Sequence, residues 1–514
     1  MQSTSKAENE NSDIKATPQP ELFENYLQNF KTTLHTVFHH ENDINQLSIQ
    51  RGLDAEVLAR IMACKPMSLV IPVQYGGRGG NVKENLLMLS AASYESLALS
   101  LTMGINSALF LQPVIKYGQE EIKKPVFDRF VNQQNMGGLM ITEPGFGSDA
   151  LNMQTSFAEY ENYYHLKGTK HWAGLTGQAD FWVLTARRQA PGGGLQRDVD
   201  LFVCDNSAHN QKIIVEERFE NLGLYQIPYG RNILDVKIPL AQRLVPKSTG
   251  VMMLLDLLHR SRLQFPGMAL GFVKRMLDEA ISHCQQRMVS GRNLFSYDQV
   301  QQHLARLQAN FTIISALSLK STELADIQND LQPFGLEANI VKTISTDIMQ
   351  ESAQILVQLV GAAAYKLNHI GGRGIVDSRP FQIFEGANDI LYNQICESVV
   401  RQMKAAKESN IFHFLKNHHL TARVADEVKK MFNFNLDAQM PQRKYVEFGK
   451  TMSRLASLDM LVKLGEAGFR TDLIQNAKSV LLQEITQLMS QFNFDQKVLV
   501  VENYNENSEW SVFV

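Results

Sequence analysis

A carboxylate sits between an apolar run and a glycine in the segment Phe384, Glu385, Gly386, Ala387, Asn388, Asp389, Ile390. A carboxylate that folding withdraws from water has a raised pKa and can take up a proton near neutral pH. The same residue can also begin a helix or close a turn, so this segment alone leaves Glu385 open between a general base and a structural residue. Four cysteines, Cys64, Cys204, Cys284 and Cys396, stand far apart and form no CxxC pair, which points to a reducing compartment and no metal centre.

The elements that must hold such a base follow from length and periodicity. A chain of 514 residues can bury a large core and should divide into more than one domain. With 50 basic against 53 acidic residues and a net charge of -3, nothing calls for a nucleic-acid partner. Residues 1–20 are polar, without an apolar signal core or an arginine-rich amphipathic pattern, and read as a disordered leader. Residues 21–137 show helical periodicity, as at Leu53, Val57, Leu58 and Ile61.

From 138 to 240 the pattern changes to short alternating runs, including Phe181 to Thr185 and Asp200 to Cys204, which predicts a β-domain. Pro191 to Gly194 reads as a hairpin loop within it, because no lysine and helix follow to make a phosphate cradle. Residues 241–405 return to helix over 262–290, 297–329 and 336–364, with stops at Gly291 and at Pro333 to Gly335. A further region, 406–514, places apolar residues at helical spacing over 446–464 and 471–492 and reads as a helical extension. The longest apolar stretches, such as 251–258 and 355–364, are short or interrupted by charge and are too short to span a bilayer. Arg454, Lys463 and Arg470 within the extension leave peripheral membrane contact open, with internal packing the stronger reading.

Residues 139–150, LMITEPGFGSDA, and 164–187, YHLKGTKHWAGLTGQADFWVLTAR, together with IFEGANDI, resemble three separated motifs of the acyl-CoA dehydrogenase flavoprotein family. IPVQYGGRGG at 71–80 and Arg262 followed 25 positions later by Arg287 extend the match over roughly residues 50–405. The order and spacing of the motifs carry the resemblance, since each is weak alone. It implies an α+β fold with a helical N-terminal domain, a middle β-domain and a C-terminal helical bundle, here with the added extension. The extension together with IFEG-x-NDI is similar to the long-chain branch.

The resemblance also implies roles. Glu385 matches the base that removes the proton next to the thioester of an acyl-CoA, and FAD is the implied cofactor. Met140, Thr142, Gly147, Ser148, Trp172, Gly174, Arg287, Gln358, Gly361, Ala387 and Asp389 match positions around FAD, with Arg287 reaching a neighbouring subunit's cofactor. Ser148, Leu258, His259, Arg262 and Gly386 match substrate-facing positions, with Arg262 at the nucleotide end of CoA. His259 replaces a usual aspartate and is equally readable as a satisfied helical histidine.

Other departures are Gly174 for a hydroxyl residue, Ala387 for the threonine after Glu-Gly, Ser290 for a phenylalanine, and Ala362 and Ala364 for glycines. The implied activity is FAD-dependent α,β-dehydrogenation of a medium- to long-chain acyl-CoA by a cytoplasmic homodimer. Electrons would pass to an electron-transfer flavoprotein or a similar acceptor. An acyl-CoA oxidase, an acyl-carrier-protein dehydrogenase or a non-catalytic flavoprotein scaffold are the alternatives.

Overall fold

Asn81 accepts a hydrogen bond from the Glu84 N–H and so starts one of the central helices of the N-terminal segment. The computed structural model describes residues 21–437, 439–496 and 498–514; the leader expected over 1–20 lies outside the described residues. Helices α1 (Phe23–His35), α2 (Val82–Glu95), α3 (Leu97–Gly104) and α4 (Glu120–Asn132) dominate the first part. Helix α3 continues through a wide π-turn over Ile105–Leu111 into Gln112–Tyr117. This run, 97–117, is longer than the apolar stretches that stand out on reading. It is long and apolar enough to cross a membrane, with mean hydropathy 1.4, yet 89% of its most apolar window is buried inside the protein. It is therefore accounted for as a core helix.

Seven strands follow: β1 (Gly137–Met140), β2 (Ser156–Glu159), β3 (Tyr163–His171), β4 (Phe181–Arg188), β5 (Asp200–Asp205), β6 (Ile214–Arg218) and β7 (Gly230–Pro239). They form one sheet in the order β1-β4-β2-β3-β7-β6, with β5 also paired to β4. The loop at Pro191 to Gly194 joins antiparallel β4 and β5. The alternation expected across Phe181 to Thr185 does not translate into one wet face. Every residue from Phe181 to Ala186 is buried, because β4 lies between β1 and β5 with the helices packed against it.

The next six helices are α5 (Gly250–Arg262), α6 (Phe265–Gln286), α7 (Asp298–Leu324), α8 (Gly335–Val360), α9 (Ile370–Ser378) and α10 (Asn388–Ala405). The extension contributes α11 (Gln442–Glu466) and α12 (Thr471–Phe492). Helix α11 packs on α7 and α10, and α12 packs on α7 and α11. Gly449 permits this contact, since a Cβ there would sit 1.9 Å from the Tyr392 carbonyl oxygen.

Arg454, Lys463 and Arg470 of the extension each have an acidic partner. Arg454 is turned inward with its side chain 15% exposed, Lys463 pairs with Glu323 at 2.5 Å, and Arg470 pairs with Asp472 at 2.7 Å. The α-helical part stops at Phe492; residues 498–514 carry only a short 3-10 turn and leave Val498, Val500 and Trp510 exposed.

Candidate active site

Glu385 lies in the turn between α9 and α10, on left-handed backbone with φ +55, followed by Gly386 at φ +95. A non-glycine residue in that region costs about 1–2 kcal/mol, so the surroundings must impose it. Helix α5 supplies two of the restraints. Ser261 Oγ donates to Glu385 Oε1 at 2.8 Å, and Arg262 Nε donates to the Glu385 carbonyl at 3.1 Å. From α8, Lys342 Nζ donates to the Gly386 carbonyl at 2.9 Å and to Asn388 Oδ1 at 2.8 Å. Phe384 closes the apolar side against Phe265 and Phe381, with ring centroids 6.1 and 4.9 Å away.

The carboxylate of half-buried Glu385 is only half satisfied. Glu385 Oε2 is buried and accepts no hydrogen bond from the described residues. Burial pushes the Glu385 carboxyl above its ordinary value, while the Ser261 hydrogen bond and the charges of Arg262 and Lys342 pull it back in part. Burial also brings Lys342 down to about 7, against the opposing attraction of Glu385. A buried carboxylate with one free oxygen and a raised pKa is equipped to accept a proton.

Facing residues come from the β-domain. Trp172 follows β3 on left-handed backbone at φ +57 and is 52% exposed, with Phe219 at 4.6 Å and Tyr229 at 6.4 Å between ring centroids. Its neighbour His171 donates its N–H to the Thr142 carbonyl at 2.8 Å, which joins the end of β1 to the tryptophan turn. Half-buried Thr142 is followed by exposed Gly147 and Ser148, and space around Gly147 is open. The left-handed glycine of this segment is Gly145, at φ +82, and not Gly147. The Met140 side chain is 1% exposed and belongs to the core.

Gly174 has a steric explanation. A Cβ there would approach Ile105 Cδ1 to 2.9 Å and Tyr229 Cε1 to 3.4 Å. A side chain there would have to displace Ile105 Cδ1. Tyr229 is held protonated by burial first, then by the negative charges of Asp377 and Glu385.

Arg262, from α5, is 7% exposed; its Nε donates to the Glu385 carbonyl and its Nη1, at 2.7 Å, to Asn339 Oδ1. His259 is 6% exposed with Nδ1 2.8 Å from the Leu331 carbonyl, and burial lowers it to about 4. It is a neutral, satisfied histidine. Leu258 is half-buried against the core. Asp389 is exposed, and Lys450 of the extension lies 3.5 Å away.

Gln358 and Gly361 are exposed at the end of α8, and Gly361 has φ +76 with open space around it. Arg287 is exposed at the end of α6. Ala387 occupies the N-cap position of α10 and offers no side-chain cap.

Sequence reasoning missed Ser261, Lys342 and Tyr229. Only Lys342 gave a signal, as a lone charge inside the apolar run IVKTIS. A separate group, His35, His39 and Glu95, brings ligand atoms within 4.8 Å of one another. Glu95 Oε2 there is already shared by His39 at 2.7 Å and Arg275 at 3.2 Å, so a cation would compete with a guanidinium.

Comparison with known proteins agrees with this layout. Residues 30–134, 138–236 and 248–400 match in order the N-terminal, middle and C-terminal domains of acyl-CoA dehydrogenases, together well over half the chain. An acyl-CoA dehydrogenase of Bacillus subtilis (strain 168) is 26% identical over 325 residues, covering 63% of this chain and 84% of that protein. The mitochondrial very long-chain specific acyl-CoA dehydrogenase of Mus musculus is 22% identical over 360 residues, 69% of this chain. The match spans about half of that relative, 54%. The crystal structure of an acyl-CoA dehydrogenase complexed with FAD from Bacillus anthracis has a TM-score of 0.74 at 17% identity, covering 93% of this chain and 88% of that one. That share is too large to stop at residue 405, so the likeness of fold reaches into the extension. This chain belongs to the acyl-CoA dehydrogenase family.

Proposed function

We propose that the chain carries out FAD-dependent α,β-dehydrogenation of a medium- to long-chain acyl-CoA, giving the trans-2-enoyl-CoA, with Glu385 as the base. The observation that carries this reading is the buried Glu385 carboxylate, bonded through Oε1 to Ser261 and open at Oε2. The residues present fit a flavin. Trp172 offers an exposed ring on constrained backbone, and Gly361 and Gly147 leave backbone open to close approach. When bound, FAD supplies the hydride acceptor at N5.

The chain's own work is proton removal and orientation. Glu385 Oε2 takes the proton from the carbon beside the thioester, and the Glu385 N–H is assigned to the thioester oxygen, where negative charge grows as the proton leaves. Ser261 and the carbonyl contact from Arg262 fix the carboxylate while it does so. Exposed Arg287 supports a homodimer in which the guanidinium reaches the partner's cofactor phosphates. The mouse very long-chain relative and the helical extension support a longer acyl chain. An electron-transfer flavoprotein or a similar carrier is the proposed acceptor, and the cytoplasm the proposed site of action.

A second reading, an acyl-CoA oxidase or acyl-carrier-protein dehydrogenase, is favoured by one observation. Ile105 and Tyr229 occupy the place of a hydroxyl at 174, which alters the polar surroundings of the flavin ring. Anaerobic bleaching of bound flavin by acyl-CoAs from short to very long chains tests the main reading. Bleaching that follows chain length and disappears in Glu385→Gln supports it; no bleaching by any acyl-CoA, with bleaching by an acyl carrier protein thioester, selects the second.

A further inference from the structure

The turn that carries Glu385 is held on both flanks by one carboxylate. Asp347 Oδ1, on α8, accepts from Gln382 Nε2 at 2.8 Å and from Asn388 Nδ2 at 2.8 Å. Gln382 lies three residues before Glu385 and Asn388 three residues after it. Asn388 in turn receives Lys342, which also holds the Gly386 carbonyl. Asp347 thus clamps the ends of the loop whose middle must stay in a left-handed conformation.

The cation that serves this carboxylate comes from the extension. Arg454 on α11 places Nη2 3.2 Å from Asp347 Oδ2 and donates from Nη1 to the Tyr392 hydroxyl at 2.7 Å. Tyr392 donates to the same Asp347 oxygen at 2.6 Å and is 1% exposed. Glu484 on α12 accepts from Arg454 Nε at 3.1 Å and is also paired with Arg306. Left alone, burial would raise Asp347; Arg454 first, then the donors Tyr392, Gln382 and Asn388, hold it below its ordinary value. A protonated Asp347 would accept fewer hydrogen bonds, and one flank of the turn would loosen.

We propose that Arg454 is a positioning residue for Glu385: the extension supplies the charge that keeps Asp347 gripping Gln382 and Asn388 on either side of the turn. The inference rests on the reading of Glu385 as the base. It makes the C-terminal helices part of the active-site scaffold, beyond their role in covering the helical bundle. A cavity of about 600 Å³ borders Asp347, Gln382, Arg454 and Glu484. Water can enter there when the guanidinium is removed, so the expected consequence is a loosened turn and not a collapsed protein.

The test uses full-length, flavin-loaded protein and the limiting rate of anaerobic flavin reduction by a saturating acyl-CoA. Arg454→Met is expected to lower that rate by about tenfold to a hundredfold, the scale of a misplaced catalytic group. Affinity for acyl-CoA and flavin content are expected to stay near wild type. Arg454→Lys should recover part of the rate, and Arg454→Met should add little in an Asp347→Asn background. A wild-type rate in folded Arg454→Met, or a loss that only follows lost flavin, overturns the proposal. Should Arg454→Met fail to fold, Gln382→Leu opens one flank without touching the extension, and a wild-type rate there overturns it equally. Glu385→Gln separates the two levels. If it still bleaches, the assignment of the base fails; if it is inert while Arg454→Met is normal, only the positioning role fails.

Discussion

Replacing Ser261 by alanine tests the electrostatics of the site more sharply than replacing the base itself. Ser261 is 4% exposed and its hydroxyl gives Glu385 Oε1 a 2.8 Å hydrogen bond, while Oε2 has no partner. The substitution therefore removes the one side-chain hydrogen bond the carboxylate receives among the described residues. A hydrogen bond to a charged group contributes about 1.5–3 kcal/mol, and a tenfold change in equilibrium corresponds to about 1.4 kcal/mol. The ionised fraction of Glu385 on the acid side should fall by roughly tenfold to a hundredfold.

The direction follows from the balance of causes. Burial raises Glu385; Ser261, Arg262 and Lys342 lower it, so removing Ser261 favours the protonated form and moves the acid limb to higher pH. On the alkaline plateau the carboxylate is ionised in both proteins, and the rates should converge apart from any loss of orientation. Stopped-flow measurement of anaerobic flavin reduction across the pH range in which both proteins stay folded gives the profile. Superimposable acid limbs, or an equal loss at every pH, would refute the electrostatic role of Ser261.

Two substitutions test the departures at 174 and 387. Gly174→Ser should destabilise by about 1–3 kcal/mol through overpacking on Ile105 Cδ1, and the combination with Ile105→Val should recover most of that loss in urea denaturation; no loss in the single variant contradicts the packing account. Ala387→Ser places a hydroxyl at the uncapped start of α10, where φ is -58 and ψ 141. Stability should rise by about 0.5–2 kcal/mol, read as a higher urea midpoint with an unchanged slope, and an unchanged or lower midpoint would show that the N–H groups are already served.

The helices were legible because their ends carry strong punctuation: the expected 262–290, 297–329 and 336–364 correspond to Phe265–Gln286, Asp298–Leu324 and Gly335–Val360. Strand β4 was misread because a strand covered on both faces lacks the alternation that a half-wet strand shows. Glu385 and Trp172 could be singled out by type and motif, but their left-handed backbone could not, since only glycine advertises positive φ in a sequence. Arg262 and His259 were placed at substrate-facing positions by the family resemblance, with a satisfied helical histidine equally readable at 259. Their burial was not legible, because the carbonyl acceptor each meets lies far away in the sequence. Arg454 was invisible as an active-site element for a related reason: its partners Asp347 and Tyr392 come from helices 107 and 62 positions away.

The placement of the nearby cations explains how one buried carboxylate can be both tolerated and reactive. An arginine or lysine bonded directly to Glu385 would pull its pKa down and leave a poor base. Here Arg262 and Lys342 spend their donors on the carbonyls of Glu385 and Gly386 and on Asn339 and Asn388, not on the carboxylate. Their charge still lowers the cost of ionising Glu385, but neither blocks Oε2. The same bonds hold the turn in its strained conformation. Part of the field that stabilises the carboxylate and part of the restraint that aims it therefore come from the same two side chains, so removing either should change basicity and geometry together, whereas Ser261→Ala changes basicity with the backbone restraints left in place.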